Sequence, residues 1–161
     1  MKKTRCNNNL LLGCCVAALV IVCYLSISRP IRFKHEKERR EMAVKHHLLQ
    51  IRLAEEKYRR LTGTYTGNIQ ALIEQRLLAD SLQYIPFSDK KRFDMEATMQ
   101  VDNAGRQQPL MECGAPYDAY LQDLDANQLT LLKQEANERG DYPGLKFGDL
   151  TRNNNNAGNW E

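Results

Sequence analysis

The histidines are the first residues to weigh as metal ligands, because imidazole binds zinc and the chain has only His35, His46 and His47. His46 and His47 are adjacent, so on a helix they point about 100° apart and do not converge as an i, i+4 pair does. They are read as solvated helix residues. Four of the five cysteines, Cys6, Cys14, Cys15 and Cys23, lie in or beside a hydrophobic segment. Cys113 then has no cysteine nearby to form a disulfide or a tetrahedral zinc site, and is read as a buried strand residue. Asp118, Asp123 and Asp125 lack the spacing and glycine of a calcium loop and are expected to cap or flank a helix. No Gly-x-Ser-x-Gly elbow surrounds a serine, and no glycine-rich phosphate loop occurs. The reading assigns no catalytic, cofactor-binding or metal residue, and expects no cofactor and no enzyme activity.

The strongest single feature is Leu10 to Ile27, an 18-residue run without a charge. As a helix it extends roughly 27 Å, close to the hydrocarbon thickness of a bilayer. It is longer than a usual signal-peptide core and is followed by Ser28, Arg29 and Pro30, so an uncleaved anchor in the lipid bilayer is expected. Leu11-Leu12-Gly13-Cys14 has the residue types of a lipoprotein processing site. Only Leu10 to Leu12 precede it as apolar residues, so acylation is not expected.

The 161 residues carry a formal charge of +3. Lys2, Lys3, Arg5, Arg29 and Arg32 flank the hydrophobic run, leaving 18 basic and 20 acidic residues from Lys34 onward. That balance argues against a nucleic-acid partner. The expected division is a charged N-terminus over 1–9, an anchor over 10–28, an amphipathic stem over 29–62, a small domain over 63–150 completed by the stem, and a polar tail over 151–161.

In the stem, Val44, Leu48, Ile51, Ala54, Tyr58 and Leu61 recur at steps of three and four, which traces one apolar helical face. A break is expected near Pro30 and a stop at Gly63. Thr64 to Gly67 links to a short helix capped by Asn68 and carrying Ile69, Leu72 and Ile73. Phe93, Met95, Ala97, Met99 and Val101 alternate with polar residues, the pattern of a strand with one buried face. A turn over Asp102 to Gln108 leads to a partner strand around Leu110 to Cys113. Asp125 caps a further helix with Leu129, Leu132 and Ala136 inward and Gly140 as its stop, before a strand at Leu145 to Leu150. The Asn153 to Asn156 tail is expected to fray, with Trp160 able to dock.

Ile51 to Tyr58, Leu61-Thr62-Gly63-Thr64-Tyr65-Thr66, Leu72-Ile73 and Leu77-Leu78 resemble type IV pilins and type II secretion pseudopilins over about residues 10 to 80. Tyr58, Gly63 and Tyr65 stand at the helix corner of that pattern, where Tyr58 and Tyr65 are expected to pack. Gly13 is followed by Cys14 and the run holds no acid, unlike a prepilin, so the resemblance implies an architecture and not assembly into a fibre. Arg29 to Phe33, the Ile51-Arg52 helix, Ala115-Pro116-Tyr117, Tyr142 to Lys146 and Gly158 to Glu161 also resemble uncharacterised single-pass membrane proteins of Bacteroidetes bacteria.

The implied fold class is α+β, with an N-terminal transmembrane helix continuing into an amphipathic helix packed on a small antiparallel sheet, pilin-like in form. The implied role is a noncatalytic envelope protein of the bacterial inner membrane, single-pass, in contact with other envelope proteins. A signal-anchor topology would place its domain in the periplasm. Six basic residues between Arg29 and Arg40 oppose that placement under the positive-inside rule. The alternatives are a cytoplasm-facing membrane-tethered binding module or a small enzyme of unrecognised type.

Overall fold

The computed structural model describes residues 8–101 and 105–161, with side chains over 11–24, 30–101 and 105–161. Most of the charged N-terminus and the start of the expected 102–108 turn lie outside the described residues. The described chain is α+β, with helices and one three-stranded antiparallel sheet. Two compact units divide at Glu36 and Lys37.

Helix α1 runs Asn8–Thr62. The expected break at Pro30 does not occur, since the proline lies inside the helix. A proline removes one i to i−4 hydrogen bond, and the turns on either side of that missing bond remain helical. In the first unit, Leu11, Leu12, Val16, Leu19, Val20, Ile21, Val22 and Tyr24 are all exposed. Among the described residues no helix is long and apolar enough to cross a membrane. The described side chains of the apolar stretch end at Tyr24, whereas the uncharged run of the sequence reaches Ile27.

The second unit is built on the later part of α1. Val44, Leu48, Ile51 and Ala54 are buried as the periodicity requires, and Tyr58 packs at the margin of the core. Leu61 is not part of that face: it is 72% exposed, one turn past the last covering side chain. Glu55 is fully buried in line with Ile51, and Arg40 is buried one turn before Val44. The helix ends at Gly63, whose φ of +85° is left-handed and whose N–H reaches Arg59 O at 2.8 Å.

Asn68 caps α2, Ile69–Glu74, its side-chain oxygen accepting from Gln70 N at 3.0 Å. A 3-10 turn over Asp80–Gln83 follows. Strand β1 spans Asp94–Val101 and pairs antiparallel with β2, Gln107–Pro116, in a register that sets Met95 against Cys113 and Ala97 against Met111. The alternation of β1 holds only at its start. Phe93 is buried and Met95 and Ala97 are half-buried, but Met99 and Val101 are 45% and 67% exposed, because the strand outruns the layer that covers it. The other edge of β1 is approached by Gly67, where a Cβ would come within 3.2 Å of Ala97 N.

Pro116 precedes the single turn α3, Tyr117–Tyr120. Helix α4, Ala126–Arg139, starts at Asp125, which accepts from Asn127 N and Gln128 N at 2.9 and 3.2 Å, and stops at Gly140 with φ +71°. Strand β3, Gly144–Gly148, pairs antiparallel with β2 and ends two residues short of the expected Leu150. The left-handed Gly148, φ +79°, turns the chain out of the sheet.

The polar tail does not fray where it meets β3. Gly148 N donates to Ala157 O at 3.1 Å, and Asn159 N donates to Lys146 O at 2.9 Å, so the tail follows the outer edge of the strand. Trp160 packs against the core, and Glu161 pairs with Arg52 on α1 at 2.8 Å. Composition alone misleads here, because the asparagines supply their own turn bonds: Asn153 Oδ1 accepts from Asn155 N at 2.9 Å.

Candidate functional site

The residues first weighed for chemistry are not brought together. His46 is exposed, whereas His47 is half-buried, with Nδ1 3.1 Å from Tyr84 O and its ring 6.3 Å from that of Phe93. His47 is therefore not a simply solvated residue. A carbonyl oxygen only accepts, so the contact places the ring proton on Nδ1. Burial lowers the His47 pKa, an effect the Tyr84 carbonyl partly opposes. Cys113 is completely buried at the centre of β2, and burial raises its thiol pKa. Asp118 pairs with Lys133 at 2.7 Å, Asp123 with Arg40, and Asp125 caps α4, three separate tasks. Among the described residues no group of three or more His, Cys, Asp or Glu side chains could hold a metal ion.

Two buried polar centres escaped the sequence reading. The first is Arg40. Its Nη1 donates to Tyr120 O at 2.8 Å and to Asp123 Oδ1, while Nη2 donates to Asp123 Oδ2 at 2.9 Å. The guanidinium also lies 5.0 Å from the ring centre of Phe87, an aromatic held at φ +60°. A bulky residue in that region is strained. This clamp joins α1 to α3 and to the 85–91 loop. The hydrogen bond to Arg40 holds the Asp123 carboxyl below its ordinary pKa.

Replacing Arg40 by Leu is expected to destabilise the domain by about 2 kcal/mol, because the Tyr120 carbonyl loses its charged donor. Asp123→Asn should cost under about 1 kcal/mol, because that carboxylate is 61% exposed and its ion pair is screened. Urea denaturation checks the order; equal losses would locate the clamp in the ion pair and not in the carbonyl contact.

The second centre is Glu55. Its Oε2 accepts from Thr66 N at 3.0 Å, tying the helix to the corner that follows it, whereas Oε1 has no hydrogen-bond partner. Burial raises its pKa to about 7, against the opposing Thr66 bond. Beside this corner, a hollow of about 430 Å³ opens between the end of α1 and the asparagine loop, lined by Glu56, Arg59, Arg60, Tyr65, Asn153, Asn155 and Asn156. Tyr65 packs at the margin of the core and also lines the hollow, its hydroxyl bonded to Arg59 and Asn156 of the same lining.

The signals for these centres were faint but present. Arg40, Val44, Leu48, Ile51 and Glu55 fall at steps of four, four, three and four, so both charged residues continue the apolar stripe. Comparison with family models, with curated proteins and with solved structures finds no match to this chain.

Proposed function

We propose that this chain is a noncatalytic envelope protein, held in the bacterial inner membrane by the run Leu10 to Ile27. Its pilin-like domain contacts other envelope proteins. The observation that carries this reading is the uncovered apolar surface of α1 from Leu11 to Tyr24. A helix apolar on every side is stable only in an apolar surround, and here the first unit provides none of its own. The sequence extends that surface beyond the described side chains, to a length that suits a bilayer.

The second unit supports a binding role over a catalytic one. Its buried ionisable groups serve to join elements: Arg40 holds α3, His47 meets Tyr84 O, and Glu55 holds Thr66. The domain is placed in the periplasm, in keeping with the likeness to exported pilins. The cytoplasm-facing alternative rests on the basic residues after the run.

Mass spectrometry of the purified full chain should find the run retained and Cys14 unmodified. A mature N-terminus near residue 30 would remove the anchor. Reporters active only in the periplasm or only in the cytoplasm, fused through a flexible linker after Glu161, should respond on the periplasmic side alone. Response on the cytoplasmic side alone would replace the envelope reading by a cytoplasm-facing module.

A further inference from the structure

The hollow at the end of α1 differs from one near β3 in how its cations are satisfied. The hollow of about 470 Å³ near β3 is lined by Lys146, Arg152 and Asp149 among others. There, Lys146 bonds Glu112 at 2.8 Å and Arg152 meets Asp149 at 3.2 Å, so the cations are already neutralised. At the end of α1 two arginines face one carboxylate, Glu56. Arg59 spends its contact on a neutral group, with Nη1 2.9 Å from the Tyr65 hydroxyl and the guanidinium 5.1 Å from that ring centre. Among the described residues Arg60 has no ion-pair or hydrogen-bond partner for its side chain.

The Tyr65 hydroxyl gives the hollow a direction. Its oxygen accepts from Arg59 Nη1 and, at 2.7 Å, from Asn156 Nδ2. With two donors on that oxygen, the remaining capacity of the group is its own O–H, free to donate to a further acceptor. Asn156 is buried and left-handed, and the Asn155 before it is left-handed but exposed. The loop is held in that form from α1, with Arg52 Nη1 donating to Asn156 O at 3.1 Å and meeting Glu161 at 2.8 Å. Arg59, the Tyr65 hydroxyl and Asn156 are thus held together before any ligand arrives, which lowers the entropy lost on binding at those groups.

We infer that this hollow is a binding site for an oxyanion, a phosphate or carboxylate group of a soluble ligand, received by Arg60, Arg59 and the Tyr65 O–H. Guanidinium groups match the geometry of such anions, and a hydroxyl donor adds a directed bond. The size of the hollow admits a group attached to a small polar body such as one sugar ring. This goes beyond the proposed anchoring role and does not depend on which side of the membrane the domain faces.

The test uses the full chain in nanodiscs of neutral phosphatidylcholine, titrated with inorganic phosphate at constant ionic strength set by chloride, with NMR detection of the arginine side-chain Nε–H and asparagine side-chain signals. Saturable shifts at Arg59, Arg60 and Asn156 are expected. Arg60→Ala and Tyr65→Phe should each weaken binding by about tenfold. Arg60→Ala should leave the thermal midpoint unchanged, since that side chain holds nothing in the fold. Shifts that do not saturate, or binding in both variants as tight as in the native protein, would overturn the site. Nanodiscs containing phosphatidylglycerol form the second arm. Perturbation there without any response to free phosphate would refer the charge to a lipid surface and overturn it equally.

Discussion

The contribution of Glu55 to the stability of the domain is expected to fall by about 3 kcal/mol as pH rises from 4.5 to above 7, and Glu55→Gln should remove that fall. The folded-state pKa of Glu55 is raised to about 7 from 4.5, so the native state holds a proton that the unfolded chain releases earlier. A raised pKa of this kind contributes stability that is fully present below 4.5 and is lost as pH climbs through 7. The cause is geometric. Glu55 has no exposed surface, and when ionised it can set only the Thr66 N–H against its charge, with Oε1 unpartnered. Glutamine keeps the acceptor toward Thr66 N and cannot ionise. Urea midpoints at pH 5 and pH 8 check this: parallel pH profiles for the native protein and E55Q would show that the proton sits elsewhere.

The largest loss from a single added methyl is expected at Gly148. A Cβ there would lie 2.1 Å from Met111 O and 3.0 Å from Met111 C, in a residue whose φ is +79°. Left-handed conformation alone costs an alanine about 1 to 2 kcal/mol. Relief of the clash must move the end of β3 away from β2, breaking the Glu112 to Gly148 pairing and the bond from Gly148 N to Ala157 O. Gly148→Ala should therefore cost about 4 kcal/mol or more, in the range reserved for backbone strain and steric conflict. Gly63→Ala isolates the strain from the clash. Its φ is +85° but nothing lies within 4 Å of the added carbon, so a loss of about 1 to 2 kcal/mol is expected. Similar losses for the two variants would mean that β3 yields freely.

The contrast between these glycines shows where sequence reading stops. Gly63 and Gly140 announce themselves, since each follows a run of helical periodicity and stops it. Asn68 and Asp125 are equally plain, because a short side-chain acceptor before an apolar helical face satisfies amides that the helix leaves open. Gly148 is silent in sequence, because the carbonyl it must avoid belongs to Met111, 37 positions earlier and joined to it only by strand register.

The same limit hid the candidate site. Glu55 stands beside Glu56 in a stretch dense with charge, where a solvated face is the default reading, and only the covering corner at Thr66 makes one of the pair buried. Met99 and Val101 show the opposite error. Their alternation with Thr98 and Gln100 is regular, but the covering layer ends before they do. The tail is ordered where its asparagine-rich composition predicts disorder, because composition carries no information about what an edge strand offers it. The hollow needed all three facts at once: the end of α1, the corner, and the tail laid along β3.

Ile51 and Phe147 share one core, yet about a hundred residues of synthesis separate them. At ribosomal rates of about 5 to 20 residues per second, the apolar stripe of α1 waits on the order of 5 to 20 s for β3 to arrive. During that interval Val44, Leu48 and Ile51 gain α2 and the β1–β2 hairpin in turn, but their cover is incomplete until β3 arrives. Vectorial production thus leaves this protein with a sticky nascent stem, and its safe passage depends on whatever shields that stem until the last strand is delivered.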